Sequence, residues 1–273
     1  MTSLSPSRDS GNASRPRRQV SFARIERPVI GVFAVAAFLA AWQIVGSQEV
    51  IRSDLISYPS EIAATFIAMA RSGELGANIA VTLLEFIEGF LPACLFGVVA
   101  GLALALNRRL RYLVAPLFAA LYSAPMIAFV PVIVVWFGVG RDSKIAMVFL
   151  AAVIPIIINT ATGVNETSEA WIRAVRAFGA SRRQIIAKAI LPGAFAAVMA
   201  GIRLGVGRAI VSLVAAEMYV SIFGIGRLIQ VYSNSGNAAP IFVLVVIISS
   251  FGLICISVLR ALEQRLAPWR GGQ

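Results

Sequence analysis

The stretch RAVRAFGASRRQIIAKAILP, residues 173–192, lies between strongly apolar runs and yet is rich in basic side chains. They are Arg173, Arg176, Arg182, Arg183 and Lys188. Gly179 is the residue type most tolerant of the left-handed conformation in which helices often end. Two positions later, Ser181 is a favourable N-cap for a following helix. The stretch therefore predicts two short helices that meet at Gly179.

Each of these two predicted helices has an apolar face. In the first, residues 168–178, apolar side chains recur at i, i+3, i+4 and i+7 and so share one face. These are Trp171, Ala174, Val175 and Phe178. The second has Ile185, Ile186, Ala189 and Ile190. Pro192 lacks a backbone donor and clashes with the preceding turn, so it predicts the end of the second helix. Such a basic amphipathic segment either binds another protein or lies in the membrane interface.

The composition of the whole chain is that of a membrane protein. Of its 273 residues, 59% are hydrophobic and 14% charged, whereas soluble domains are about 45–50% apolar and about 25% charged. There is no histidine, which excludes histidine-based zinc sites and Ser-His or Cys-His catalysis. Cys94 and Cys255 lie in apolar runs and are interpreted as small hydrophobic side chains.

The apolar runs predict an all-α membrane protein with six spans. The predicted spans are residues 29–45, 78–106, 113–140, 145–164, 193–218 and 240–259. A short helix near residues 61–69 is expected in the first external connection. The third run contains Pro116, Pro125 and Pro131, so we expect it to be kinked or broken and to be a candidate wall of a transport pathway.

The basic clusters fix the predicted orientation. In a six-span count they all fall on one side of the membrane, which the positive-inside rule assigns to the cytoplasm. Both termini are therefore expected inside, and the net charge of +11 needs no nucleic-acid partner. We divide the chain into a disordered basic cytoplasmic arm (1–27), a transmembrane domain (28–268) containing the basic loop 165–192, and a tail (269–273).

Five ionisable residues fall at or near membrane depth, where each needs a partner or water. They are Glu85, Glu88, Arg203, Arg208 and Glu217. Helix rise places Arg208 near the level of the two glutamates, so we expect it to pair with Glu85 or Glu88. Arg203 and Arg208 are about 140° apart around a helix, so only one of them can face a central pathway. For each of the five charges, an ion pair between helices or a side chain that reaches towards the interface is preferred over contact with the substrate.

Two pairs of glycines could let helices approach closely. Gly97 with Gly101, and Gly201 with Gly205, are each four residues apart. Packing within the chain is the simpler interpretation, and contact with another subunit is the alternative.

The basic loop resembles the coupling loop, or EAA loop, of importer-type ABC transporter permeases. Ala174, Gly179, Leu191 and Pro192 stand at the spacings of that motif, whereas Arg173, Val175 and Ala189 depart from it. Over roughly residues 55–268 the chain is also similar to the nitrate, sulfonate and taurine branch of these permeases. The similarity lies in PVIVVWFGVG (131–140), RAFGASRRQIIAKAILPGA (176–194), GIRLGVGRAIVSLVAAEM (201–218) and FGIGRLI (223–229).

The resemblance implies a permease subunit in the cell inner membrane. Its loop would sit in a groove of a separate ATPase, with a second copy of this chain, two ATP-binding subunits and an external substrate-binding protein as partners. The coupling residues would be Trp171, Arg173, Ala174, Val175, Arg176, Phe178, Gly179, Leu191 and Pro192. The chain itself would bind no cofactor, because the sequence has no G-x-x-x-x-G-K-[ST] phosphate loop and ATP would be bound by the partners.

The substrate implied by the resemblance is a small organic or inorganic anion such as a sulfonate, taurine or nitrate. An alternative is a self-sufficient, ion-coupled secondary transporter. Such a carrier would use Glu85 and Glu88 as proton or sodium sites, but it would not explain the helix–glycine–helix loop.

Overall fold

The computed structural model describes residues 22–48 and 56–266. The regular structure of those ranges is helical throughout. Its α-helices are α1 (Phe22–Ser47), α2 (Pro59–Arg71), α3 (Glu74–Leu106), α4 (Arg108–Ser123), α5 (Val130–Phe137), α6 (Arg141–Asn165), α7 (Glu169–Ala177), α8 (Arg182–Ile185), α9 (Leu191–Val220), α10 (Ile225–Asn234) and α11 (Ala238–Leu266). A 3₁₀ turn, Met126–Phe129, precedes α5, and a π turn, Ile186–Ile190, joins α8 to α9. The chain divides into two compact units, residues 1–50 and 51–273.

The first unit contains α1, whose side chains from Ile30 onwards are mostly apolar and exposed, as a lipid-facing span requires. Residues 1–21 of the expected basic arm and the whole tail 269–273 lie outside the described residues. Residues 22–27 were also assigned to the arm, but they are helical.

The described residues contain helices for all six expected spans. Five helical segments are long and apolar enough to cross a membrane. With α4 and the Met126–Phe137 segment, which are bent by 98° relative to each other, counted as one broken span, there are six. The expected break in the third run is therefore confirmed. Pro125 follows the end of α4, and Pro131 lies in the first turn of α5, where a missing N–H is harmless. We call the end of the spans next to residues 165–192 the inner end, and the opposite end the outer end.

In the second unit, α6 packs between α3 and α9. A Cβ added to Gly97 of α3 would lie 2.7 Å from Ile156 Cγ2, and one added to Gly201 of α9 would lie 2.8 Å from Asn159 Cβ. Both distances are shorter than real Cβ contacts allow, so the glycines permit the helices to touch. Both glycine pairs therefore serve packing within the chain, as the simpler interpretation held.

The helix that begins after Gly179 does not end at Pro192. It runs without interruption from Arg182 to Val220, so the predicted end before Pro192 was wrong. In the π turn the N–H of Leu191 donates to the carbonyl of Ile186, five residues earlier. This wider turn relieves the clash that a proline ring makes with the preceding turn, and the helix continues.

Helix α10 lies between the last two spans and was missed by the sequence analysis. Its inward side chains recur at i, i+3, i+4 and i+7, a pattern too short to stand out beside the spans: Ile225, Leu228, Ile229 and Tyr232. The Tyr232 hydroxyl donates to Glu74 Oε2 at 2.9 Å and so links α10 to the start of α3. Burial, followed by this hydrogen bond to the Glu74 carboxylate, raises the pKa of Tyr232.

The close packing of α3 on α6 predicts a large difference between two glycine substitutions. A Cβ at Gly101 would lie 2.7 Å from the carbonyl oxygen of Ile157, whereas one at Gly76 would meet nothing within 4 Å. We expect Gly101→Ala to lower the free energy of unfolding by about 1–3 kcal/mol and Gly76→Ala to leave it unchanged or slightly higher. Thermal unfolding of the purified variants in detergent measures this. Equal midpoints for the two variants would contradict the packing.

Candidate functional site

The first candidate site is the inner elbow, which we define as residues 165–192. Helix α7 ends at Ala177, and Gly179 adopts φ = 76° while its N–H donates to the Arg176 carbonyl at 3.0 Å. Ser181 caps α8 reciprocally with Gln184: the Gln184 N–H donates to Ser181 Oγ, and the Ser181 N–H donates to Gln184 Oε1 at 2.7 Å. The predicted pair of helices, the turn at Gly179 and the cap at Ser181 are confirmed.

One side of α7 anchors the elbow to the spans. Ile172 and Val175 are partly buried against a cluster formed by α8, the π turn and the inner ends of α3, α6 and α9. The buried members of that cluster are Val164, Ile185, Ile190 and Ala194. Val175 therefore faces inwards with Ile172, and its assignment to the same face as Trp171 and Phe178 was wrong. It lies at the edge of the predicted stripe, and contact with the α8–α9 segment decides which way it points.

The other side of α7 is apolar but exposed. The Phe178 side chain is 91% exposed and that of Trp171 is 53% exposed, with Ala174 exposed between them. We call these three residues the elbow face. Large apolar side chains held in the open on a short polar helix mark a surface for a partner or for the membrane interface.

The remaining residues of the predicted coupling set differ in exposure. Arg173 and Arg176 are exposed, Leu191 is partly exposed and Pro192 is half-buried. Arg173 donates to Glu169 at 2.9 Å. This pair is open to solvent and contributes little to stability, so these basic groups stay accessible for contact with a partner.

The second candidate site is a buried group at the outer end, which we call the outer polar cluster. Its members come from α3, α6 and α9 and from the residue after α9: Asn78, Thr82, Glu85, Lys144, Glu217 and Ser221. Glu217 is fully buried and accepts hydrogen bonds from Thr82 Oγ1 and from the Gly226 N–H, both at 2.7 Å. Polar side chains of these three helices thus hold the segment that connects α9 to α10.

Two further backbone amides of that connection are held by α3. The Gly224 N–H donates to Asn78 Oδ1 at 2.7 Å, and the Ile225 N–H donates to Thr82 Oγ1 at 3.0 Å. Asn78 and Thr82 were not singled out in the sequence. Their spacing with Glu85, at i, i+4 and i+7, is the signal that places all three on one helix face.

Glu85 forms a buried ion pair with Lys144 of α6, whose ammonium also donates to Ser221 Oγ at 2.9 Å. The Glu85 and Glu217 carboxylates are thus engaged within the protein, although Glu85 Oε2 has no hydrogen-bond partner. No group of three His, Cys, Asp or Glu side chains within residues 22–48 and 56–266 could hold a metal ion. The cluster therefore stabilises the contacts of α3, α6 and α9 with the connection into α10.

The expected pairing of Arg208 with Glu85 or Glu88 is wrong. Glu85 pairs with Lys144, and Glu88 accepts from Arg141 Nε at 3.0 Å. Both cations lie at the start of α6, directly beside α3, whereas Arg208 is on α9 and turns towards the broken span. Lys144 was missed because the predicted span began one residue after it.

Arg203 and Arg208 point to different neighbours, as their separation around the helix predicts. Arg203 forms an ion pair with Glu263 and so joins α9 to α11. The guanidinium of Arg208 lies over the Tyr122 ring, 3.9 Å from its centroid, and donates to the Tyr122 carbonyl at 3.1 Å. Arg208 therefore contacts α4 rather than an acidic helix.

The third candidate site is a cleft of about 480 Å³ at the break in the third span. One wall is residues 122–127, where α4 ends and the 3₁₀ turn begins, and the other is a face of α9. Gly207, Arg208, Val211 and Ser212 form that face. Broken helices at membrane depth occur where backbone lines a cavity, which supports the expected pathway wall.

Residues 93–268 match the family described as the binding-protein-dependent transport system inner membrane component. The match begins within α3 and includes the elbow, Lys144, Arg208 and Glu217. The chain is 28% identical to the taurine transport system permease protein TauC of Escherichia coli (strain K12), over 89% of this chain and 90% of TauC. It is 30% identical to the putative aliphatic sulfonates transport permease protein SsuC of Bacillus subtilis (strain 168), over 88% of this chain and 87% of SsuC.

Among solved structures, the chain is similar to a chain of the MetNI methionine ABC transporter in an inward-facing conformation. The TM-score is 0.56 at 20% identity, and the alignment covers 71% of this chain and 96% of that one. At this identity the likeness concerns the fold. The arrangement of helices is thus that of an ABC transporter transmembrane component.

The outer polar cluster predicts that Glu217 protects the connection into α10 from solvent exchange. Glu217→Leu leaves the Thr82 hydroxyl and the Gly226 N–H without their acceptor, and each unpaired buried donor costs about 1–3 kcal/mol. Hydrogen exchange in a peptide spanning residues 222–230, followed by mass spectrometry, should become about tenfold faster or more. Glu88→Gln, which affects only the exposed pair with Arg141, is the control. Unchanged exchange in Glu217→Leu would contradict the assigned hydrogen bonds.

Proposed function

Since this chain belongs to the family of binding-protein-dependent transport system inner membrane components, we propose that its elbow binds a separate ATPase subunit and drives import of a small oxyanion. The chain is a multi-pass permease subunit of an ABC importer. The proposal adds to that identity which surface receives the ATPase, which residues contact it and which class of solute crosses.

The observation that carries the proposal is the exposed elbow face on an anchored helix. Trp171 and Phe178 are exposed, although Ile172 and Val175 on the other side of α7 are partly buried against the α8–α9 segment. A helix that used its apolar residues only to lie in the membrane interface would not need an anchor on its other side. A helix that transmits movement from a partner to the α8–α9 segment does need such an anchor.

The elbow also has a continuous mechanical path into the membrane. Helix α8 passes through the π turn into α9, so that residues 182–220 form one helical rod. On the other side of Gly179, α7 follows directly after α6. A force applied to the elbow face therefore reaches the two helices that form the centre of the second unit.

We assign ATP binding and hydrolysis to the partner subunits, since the sequence lacks a phosphate-binding loop. The proposed assembly has two copies of this chain, two ATP-binding subunits on the cytoplasmic side and a substrate-binding protein on the external side. The orientation rests on the basic side chains of the inner end. In this assembly ATP-driven closure of the two ATPase subunits would move the two elbows together.

We propose a small oxyanion, foremost a sulfonate, as the solute. Support comes from the similarity to TauC, a taurine transport system permease protein, and to SsuC, a putative aliphatic sulfonates transport permease protein. The rival assignment, an ion-coupled carrier with Glu85 and Glu88 as ion sites, loses its basis. Glu85 is paired with Lys144 and Glu88 with Arg141, and the family is one of binding-protein-dependent transport components.

A substitution at the tip of the elbow face tests ATPase binding. Because the Phe178 side chain is 91% exposed, Phe178→Asp should leave the spans folded while placing a hydrated charge in the apolar contact. We expect the ATPase to co-purify with Phe178→Leu but at least about tenfold less with Phe178→Asp, a loss equivalent to about 1.4 kcal/mol. The measurement is the ATPase-to-permease ratio after affinity purification. Equal ratios in both variants would rule out the elbow face as the docking surface.

The turn at Gly179 tests whether the geometry of the elbow matters for coupling. A Cβ there would meet nothing within 4 Å, so substitution affects only the left-handed backbone at φ = 76°. That conformation costs ordinary residues about 1–2 kcal/mol, and asparagine tolerates it best.

We expect Gly179→Val to lower uptake per ATP hydrolysed about fivefold or more, and Gly179→Asn to retain it. Both rates are measured in proteoliposomes that contain the permease and its ATPase, supplied with binding protein. A normal ratio of uptake to ATP hydrolysis in Gly179→Val would show that coupling does not depend on the geometry of the elbow.

A further inference from the structure

Arg208 is a cation at membrane depth whose hydrogen-bonding capacity is largely unused. It lies twelve residues before the end of α9 at Val220, which is about 18 Å along the helix from its outer end. An arginine near the centre of a bilayer-spanning helix is energetically costly. Such a residue is therefore expected either to pair with a counter-charge in the protein or to serve a function such as binding a solute.

The protein holds the Arg208 side chain in place without neutralising it. One N–H donates to the Tyr122 carbonyl, which is one of the last carbonyls of α4 and has no partner inside that helix. The Tyr122 ring lies against the guanidinium face at 3.9 Å and attracts the cation through its π electrons. These two contacts orient the guanidinium.

Four of the five guanidinium N–H donors are left open by these contacts. Within the described residues Arg208 makes one hydrogen bond, to Tyr122, and no carboxylate forms a salt bridge with it. Arg203, five residues earlier on the same helix, is instead neutralised by Glu263. Of the two arginines of α9, Arg203 is thus paired with a carboxylate and Arg208 is not.

The open donors border a cleft large enough for a small solute. The cleft has a volume of about 480 Å³ and is lined mainly by apolar atoms, with Arg208 as its one charged lining residue. Gly207, beside Arg208, adds no side chain, and a Cβ there would meet nothing within 4 Å. An apolar wall lowers the local dielectric constant, which strengthens the attraction between a cation and an anion.

We propose that Arg208, oriented by Tyr122, is an oxyanion subsite inside the permease, at the break of the third span. A guanidinium presents parallel N–H donors that match two oxygens of one sulfonate or similar oxyanion. The subsite binds the anionic head of the solute after release from the binding protein, while the tail lies along the apolar wall of the cleft. Because only one guanidinium binds the oxyanion, the solute is held weakly enough to move on through the permease. The inference rests on the proposed function for its solute class.

Binding is tested first, without transport, on the purified permease–ATPase complex in detergent. The probe is methanesulfonate at millimolar concentration, and dimethyl sulfone is its uncharged counterpart. We expect methanesulfonate to raise the thermal unfolding midpoint of the wild type and dimethyl sulfone to leave it unchanged. The rise should be absent in Arg208→Gln and at least halved in Arg208→Lys, which keeps the charge but loses the fork.

Arg203→Lys is the matched control, because it makes the same chemical change at an arginine that Glu263 already neutralises. It should keep the full response to methanesulfonate. Three results would overturn the subsite: no response in the wild type, an undiminished response in both Arg208 variants, or stabilisation by phosphatidylglycerol and not by methanesulfonate. The last would assign Arg208 to a lipid headgroup.

Transport supplies the second arm and separates this inference from the proposed function. In proteoliposomes with the ATPase and binding protein, taurine uptake by Arg208→Lys should fall about tenfold, while ATPase co-purification stays at the wild-type level. If the wild type imports neither taurine nor methanesulfonate although the ATPase co-purifies, the solute class and the subsite both fail. If Arg208→Lys imports taurine as fast as the wild type, the subsite alone fails and the importer assignment stands.

Discussion

The arrangement of the spans depends on how charges at membrane depth are neutralised. In lipid an unpaired ionic group is expensive, so each such group either recruits a partner from a neighbouring helix or faces a cavity. Glu85 recruits Lys144 across the α3–α6 contact, and Arg203 recruits Glu263 across the α9–α11 contact. Glu217 instead receives hydrogen bonds from Thr82 and from backbone. These pairings add directional contacts between helices that also interlock through their glycines, and they leave Arg208 without a carboxylate partner, beside a cleft.

The sequence was sufficient for those features that depend on local chemistry. Hydrophobic length gave the spans, the prolines gave the broken third span, and Gly179 with Ser181 gave the elbow. Local sequence patterns failed where the position or partner of a side chain depends on the contact between two helices. The partner of Glu85 depends on the axial offset between α3 and α6, which hydropathy does not encode, and Lys144 stood one residue outside the predicted span. Val175 likewise faces inwards because α8 and α9 are beside it. Pro192 continues a helix because a π turn precedes it, a backbone adjustment with no reliable signal in the residues.

The elbow and the outer polar cluster lie at opposite ends of the same helices and differ in construction. At the inner end α7 is held by apolar contacts and leaves its elbow face uncovered. At the outer end the connection into α10 is held by a series of buried hydrogen bonds from Asn78, Thr82 and Glu217. Buried hydrogen bonds are directional and break sharply when misaligned, whereas apolar contacts tolerate small shifts. Movement that starts at the elbow is therefore expected to meet more resistance at the outer end than at the inner end.

Helix α9 connects these features mechanically. It carries the elbow's second arm at its inner end, Arg208 about 26 Å further along and Glu217 near its outer end. Arg208 contacts α4 through Tyr122, and α4 belongs to the broken span rather than to the α3–α6–α9 core. Because α9 is continuous with α8, a displacement of the elbow would shift Arg208 relative to Tyr122 and so change the cleft between them. An oxyanion held by Arg208 would then be carried with α9 while the wall of the broken span stays behind. In this geometry α7, which carries the elbow face, packs against the α8–α9 segment, and that segment carries Arg208. This contact provides a path from the proposed ATPase surface to the cleft.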